Sequence, residues 1–148
     1  MIKARKKPRV LSIFVCILVM ALFFSYLCVI AQVNGNITDE PITYNGYSNY
    51  KESLPRTKED YTSSYGYNTS PSRGIDRVKI IGVSVDTFGQ YSEYGDCTYG
   101  TPKSLPKGWS DYFPNLVKEY GYPLAVMRLE FDDTNYKSIT VWWSPDSV

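Results

Sequence analysis

A small α+β unit is the fold class the sequence predicts: a three-stranded antiparallel sheet with one short helix over residues 75–148, behind an N-terminal transmembrane helix and a flexible linker. Three observations predict it. Ile75 to Phe88 is rich in β-branched residues between glycines. Leu124 to Phe131 and Lys137 to Trp143 both alternate apolar and polar residues. Ser110 and Asp111 stand before a run with helical spacing.

In the first strand Val78, Ile80, Ile81, Val83 and Val85 lie between Gly74 and Gly89. Gly89 to Gly108, with Pro102 and Pro106, has neither period and reads as a long loop. A helix is expected over Tyr112–Tyr120, with Pro114 in its first turn, Gly121 as its stop, and Phe113, Leu116, Val117 and Tyr120 on one face. Ala125, Met127, Leu129 and Phe131 then form one side of a strand. Ile139, Val141 and Trp143 form the matching side of the next, and Asp132, Asp133, Thr134 and Asn135 make the hairpin turn between them.

The N-terminal third carries a topology signal. Lys3, Arg5, Lys6, Lys7 and Arg9 precede an uncharged run of 22 residues, Val10–Ala31. As a helix that run spans ~33 Å, enough for a hydrocarbon core of ~30 Å. Cations on one side only place residues 1–9 in the cytoplasm and everything after Ala31 outside it, at the plasma membrane. The alternative is a secreted protein, its signal peptide cleaved after Ala31. Outside the tail, eleven cations face fifteen acids, so no basic stripe exists for nucleic acid. The partners expected are membrane lipid and a protein or glycan at the cell surface.

Residues 32–74 have few aliphatic side chains and many Asn, Gly, Ser and Tyr, which reads as a tether. Its tyrosines, Tyr44, Tyr47, Tyr50, Tyr61, Tyr65 and Tyr67, have the composition of an adaptable contact surface or of a spacer. Asn36-Ile37-Thr38 and Asn68-Thr69-Ser70 match the glycosylation acceptor pattern.

The chain has no histidine, which excludes histidine-based triads and haem or zinc sites built on that residue. Only Cys97 lies beyond the apolar run, so no disulfide forms within the exported part, and the buried state is the first expectation for it. No catalytic residue, cofactor or metal is assigned. Asp86, Glu93 and Asp96 offer carboxylates for a glycan hydrolase, the alternative to a non-catalytic binding module. Asp132, Asp133 and Asn135 offer oxygens to calcium without the full loop it requires. The best contact candidates are aromatic: Trp142, Trp143, Trp109, Tyr91, Tyr94 and Tyr99. Trp142 and Trp143 are adjacent, so on a strand one of them points away from the core.

Glu119-Tyr120-Gly121-Tyr122-Pro123-Leu124 resembles a turn found in small uncharacterised bacterial membrane proteins, which have an amino-terminal helix, a short exported segment with a Gly-aromatic-Pro-Leu turn and a second membrane helix. The resemblance covers the topology and about six residues and implies no activity. This chain departs from the pattern by carrying no second apolar run before Val148, and reads as a one-helix variant or a truncated frame.

Overall fold

Ten strands, all paired antiparallel, form two sheets in the computed structural model, which describes residues 36–147. The basic tail and the apolar run at 10–31, read above as a membrane helix, lie outside the described residues. Among those described, no helix is long and apolar enough to cross a membrane.

The strands are β1 (Glu40–Gly46), β2 (Tyr50–Glu52), β3 (Arg56–Thr57), β4 (Ser64–Asn68), β5 (Ile75–Val85), β6 (Tyr91–Asp96), β7 (Lys103–Leu105), β8 (Ser110–Phe113), β9 (Leu124–Glu130) and β10 (Lys137–Ser144). One sheet has the order β1-β10-β4-β8. In the other, β9 and β5 are central, β2 and β3 share one edge, and β6 and β7 share the opposite edge. Each sheet is thus four lanes wide. The core lies between them: Ile42, Phe113, Ile139, Val141 and Trp143 come from the first sheet, and Val78, Ile80, Leu105, Ala125, Met127 and Leu129 from the second. This is a β-sandwich, with side chains of the two inner faces interdigitating.

The expected α+β unit is therefore corrected to an all-β fold. The tether is corrected with it, because residues 40–68 supply four strands. Their pattern was unreadable as apolar alternation for a packing reason. In β4 the inward positions are Ser64, Gly66 and Asn68, while Tyr65 and Tyr67 point out. A Cβ on Gly66 would sit 3.1 Å from Phe113 and 3.3 Å from Met127, so large neighbours fill the space its side chain would take. Asn68 is buried and donates from Nδ2 to the Leu105 carbonyl at 3.0 Å, and its Oδ1 accepts from the Ser70 amide at 2.9 Å. Ser64 donates to the Pro145 carbonyl at 2.9 Å. A strand with a polar inner face is stable because each buried group has a partner. A glycan on the Asn68 amide would displace these hydrogen bonds to Leu105 and Ser70.

Three further expectations change. Ser110–Phe113 pairs with β4 instead of starting a helix. Phe113 precedes Pro114, and the proline ring biases that residue to the extended region. Only one turn remains of the helix, closed by Tyr120 N–H to the Leu116 carbonyl at 3.0 Å, and it ends at Gly121, whose φ of 79 suits glycine. The presumed loop 89–108 contains β6 and β7. Finally, β9 and β10 do not form a hairpin. β9 pairs with β5, and β10 lies between β1 and β4, so their apolar sides meet across the core instead of side by side.

Buried cations join the termini of the unit. Lys58 and Asp146 are 1% and 0% exposed, with Lys58 Nζ 2.6 Å from Asp146 Oδ1. Arg56, also buried, donates to the carbonyls of Trp143 at 2.9 Å and Thr38 at 2.7 Å, and its guanidinium lies 5.5 Å from the Trp143 ring centroid. The segment after β3 is thereby fastened to both the start and the end of the sandwich.

Gly66→Ala is expected to destabilise the protein by ~1–3 kcal/mol, the usual cost of overpacking. Urea unfolding followed by tryptophan fluorescence checks it. A midpoint equal to that of the parent protein would show that the Phe113–Met127 contact has room to spare.

Candidate functional site

The outward face of the β1-β10-β4-β8 sheet carries an exposed aromatic surface. Strand alternation builds it. Trp143 is turned into the core at 1% exposure, so Trp142 must point out, and it is 39% exposed. Its cross-strand neighbours are Pro41 on β1 and Tyr67 on β4. One step along, Tyr65 on β4 lies opposite Tyr112 on β8, with ring centroids 5.5 Å apart and an interplanar angle of 53°. Rows on one face of a strand are about 7 Å apart, so Trp142, Tyr67, Tyr65 and Tyr112 form a continuous platform. Tyr67 is 39% and Tyr112 49% exposed.

The platform ends in a pocket of about 270 Å³ between Tyr65 and Tyr112 on one side and Ile37, Asp39 and Ser147 on the other. Ring faces with carboxylate and hydroxyl groups at the margin suit a ligand that has both apolar and hydroxyl surfaces.

The six aromatic residues named from sequence do not meet in one place. Trp142 belongs to the platform and Trp143 to the core. Trp109, 66% exposed, borders a separate groove of about 560 Å³ with Lys103 and Asp111, where the β7 and β8 edges face each other. Tyr91 and Tyr94 lie on β6 in the other sheet. A register shift between Ser84 and Val85 brings both onto one face, opposite Val85 and Val83 respectively. Tyr99 is exposed in the loop after β6. Tyr65, Tyr67 and Tyr112 were missed as members of this face. The Tyr-Gly-Tyr repeat of β4 was the available signal, a period of two with its aromatic positions outward.

The carboxylates resolve into local roles. Asp86 accepts from the Phe88 and Gln90 amides at 2.8 and 2.9 Å within the β5–β6 turn. Asp96, at the far end of β6, accepts from the Thr98 amide at 3.0 Å. Glu93 stands opposite Ser84 on the strand between them. Asp133, a candidate calcium ligand, is 3.0 Å from both Lys137 Nζ and an Arg73 guanidinium nitrogen. Those cations, Lys137 first, lower its carboxyl from the ordinary 3.8 to about 2. Asp132 is paired with Arg77. Among the described residues no three acidic or cysteine side chains group to hold a metal ion.

Cys97 is buried and its thiol pKa is raised, mainly by burial. A deprotonated nucleophile is disfavoured there. Its sulfur lies beside Gly82, where an added Cβ would collide with the Tyr122 ring. The facing pair Gly82 and Gly95 leaves a slot for that ring, and this packing accounts for the Gly121-Tyr122-Pro123 segment.

A family model described as "Protein of unknown function (DUF2712)" matches residues 28–147. The chain belongs to that family. No curated protein and no solved structure matches it. The DUF2712 match takes in all ten strands and begins at Cys28, so the segment first read as a tether falls within the family's common region.

Asp133 contributes stability above its ordinary pKa of 3.8, and that contribution is lost as pH falls through about 2. Asp133→Asn is therefore expected to be less stable than the parent at neutral pH, with the gap closing across that acid window. Thermal unfolding at a series of pH values measures it. A gap independent of pH would assign the effect to something other than the Lys137 and Arg73 pairing.

Proposed function

We propose that this DUF2712 protein is a non-catalytic binding module, held on the outer side of the plasma membrane by its apolar N-terminal run, and that its aromatic sheet face binds a glycan strand of the cell envelope. The observation that carries the reading is the cross-strand alignment of Trp142 with Tyr67 beside the Tyr65–Tyr112 pair, on a sheet face that no strand covers among the described residues. Indole and phenol faces stack on the C–H faces of pyranose rings. The hydroxyls of Tyr65 and Tyr112, with Asp39 and Ser147 at the margin, accept and donate to sugar hydroxyls. A sheet presents these groups on a rigid backbone, so little ordering entropy is lost on binding.

The hydrolase alternative has weaker support. Asp86 and Asp96 cap turns at opposite ends of β6, so they do not supply an acid and a base across one cleft. The export reading rests on the five cations before residue 10 and the uncharged 22-residue run after them.

Two measurements test the proposal. In co-sedimentation of the full chain with insoluble envelope polysaccharide, Trp142→Ala and Tyr67→Ala are each expected to weaken binding roughly tenfold, ~1.4 kcal/mol. Tyr99→Ala, outside the platform, serves as the control. Unchanged sedimentation of the Trp142→Ala/Tyr67→Ala double variant removes the platform as the binding surface. For anchoring, the protein is expected to stay with membranes through carbonate extraction. A soluble species beginning at Gln32 would replace the anchor with a cleaved signal.

A further inference from the structure

Lys58 and Asp146 are separated by 88 residues in sequence, and neither side chain has access to water. Four features around them exceed what an ion pair needs. Lys58 Nζ is 2.6 Å from Asp146 Oδ1, which brings the amine to the carboxyl group. The other carboxyl oxygen, Oδ2, accepts two backbone N–H groups, from Asn36 at 2.7 Å and Glu59 at 3.1 Å. A second acid, Asp60, has Oδ1 3.4 Å from the same Nζ. Asp60 is itself held by Thr62, whose amide and hydroxyl donate to Oδ1 at 2.8 and 2.5 Å.

These parts match the needs of amide formation. An amine must lie against a carboxyl carbon, an oxyanion must be stabilised as the carbon becomes tetrahedral, and an acid must carry a proton from the amine to the departing oxygen. Asp60 is placed for that transfer. Burial raises its carboxyl, but its hydrogen bonds to Thr62 and to the Asp146 side chain, with the Lys58 charge, outweigh burial and lower it. The other proton has a direct path: an ammonium proton of Lys58 passes to Asp146 Oδ1, 2.6 Å from Nζ, which frees the amine lone pair and makes that oxygen the hydroxyl to be lost. Both reacting side chains are buried and held together by the fold, the condition under which intramolecular reactions gain most. Removing water also favours condensation over hydrolysis, and the amide eliminates two charges that are costly to bury.

We infer that Lys58 and Asp146 condense into an intramolecular amide that closes the sandwich covalently between the segment after β3 and the segment after β10. The Lys58 Nζ lone pair forms a bond to Asp146 Cγ, and Oδ2 carries the developing negative charge against the Asn36 and Glu59 amides. The C–Oδ1 bond breaks, and that oxygen leaves as water, taking a proton that Asp60 relays from the amine. One water is released, with no oxidant, reductant or further reactant. The crosslink closes an 88-residue loop, which restricts the unfolded chain. It stands independently of the aromatic platform.

Tryptic mapping of the purified full chain after denaturation tests it. Trypsin does not cut at an acylated lysine, so residues 57–73 and 138–148 are expected as one linked species, lighter than the two peptides together by one water. Asp60→Asn is expected to keep the parent's circular dichroism while most of the protein loses the link, a separation that a purely structural Asp60 would not produce. Lys58→Arg is expected to lose it completely. Should Lys58→Arg fail to fold, the parent map still decides. Cleavage after Lys58 in folded parent protein, with residues 138–148 released at full mass, overturns the inference, and so does an undiminished link in Asp60→Asn.

Discussion

The sandwich depends on a buried polar knot at one end. Asp146 accepts from Lys58 and from the amides of Asn36 and Glu59, while Arg56 reaches the carbonyls of Thr38 and Trp143. Charges without water are costly unless their partners are close and their remaining hydrogen-bonding positions are filled. Here they are filled, mostly by backbone. The knot therefore specifies geometry: the start of β1, the edge segment around β3 and the end of β10 meet only in one arrangement. Without it, two-residue β3 would have little to hold it, since an edge strand of that length contributes few ladder bonds.

The same economy explains the aromatic face. Phe113, Met127 and Leu105 crowd the inside of β4, which leaves room for glycine and small polar side chains there. Tyrosines then occupy the alternate positions and face outward. The interior constraint thus accounts for the small inward residues, and strand alternation for which positions face out. Trp142 and Trp143 show the same division on β10, one ring in the core beneath Arg56 and the other on the surface beside Tyr67. The opposite sheet treats its outer face differently. There, Arg77 and Lys79 meet Glu130, and Arg128 meets Glu52, so that part of the surface is tied up in ion pairs and presents no aromatic platform.

Cation contacts with aromatic rings recur where strands are joined. Phe131 has Arg73 5.2 Å and Lys137 5.1 Å from its ring centroid, and the same two cations hold Asp133. The β9–β10 connection is consequently a packed structural element. Its acids, which look like metal ligands in a list of residues, have already spent their charge on neighbouring cations. A similar diversion into turns takes Asp86 and Asp96 away from catalysis.

By itself the sequence determined the strong strands and their inner sides. Val78 and Ile80, Ala125, Met127, Leu129 and Phe131, and Ile139, Val141 and Trp143 are buried as alternation requires, because each apolar run carries its own period. It also determined that the adjacent tryptophans part company, and that Cys97 has no disulfide partner beyond the apolar run. Tertiary structure decided the rest. Whether Tyr65-Gly66-Tyr67 is a spacer or a strand depends on Phe113 and Met127, more than forty residues away in sequence. Whether β9 and β10 lie side by side or face to face depends on β1 and β4 being present to pair with β10. The platform could not be read in advance because its members come from three strands, and lateral neighbours in a sheet leave no spacing rule along the chain.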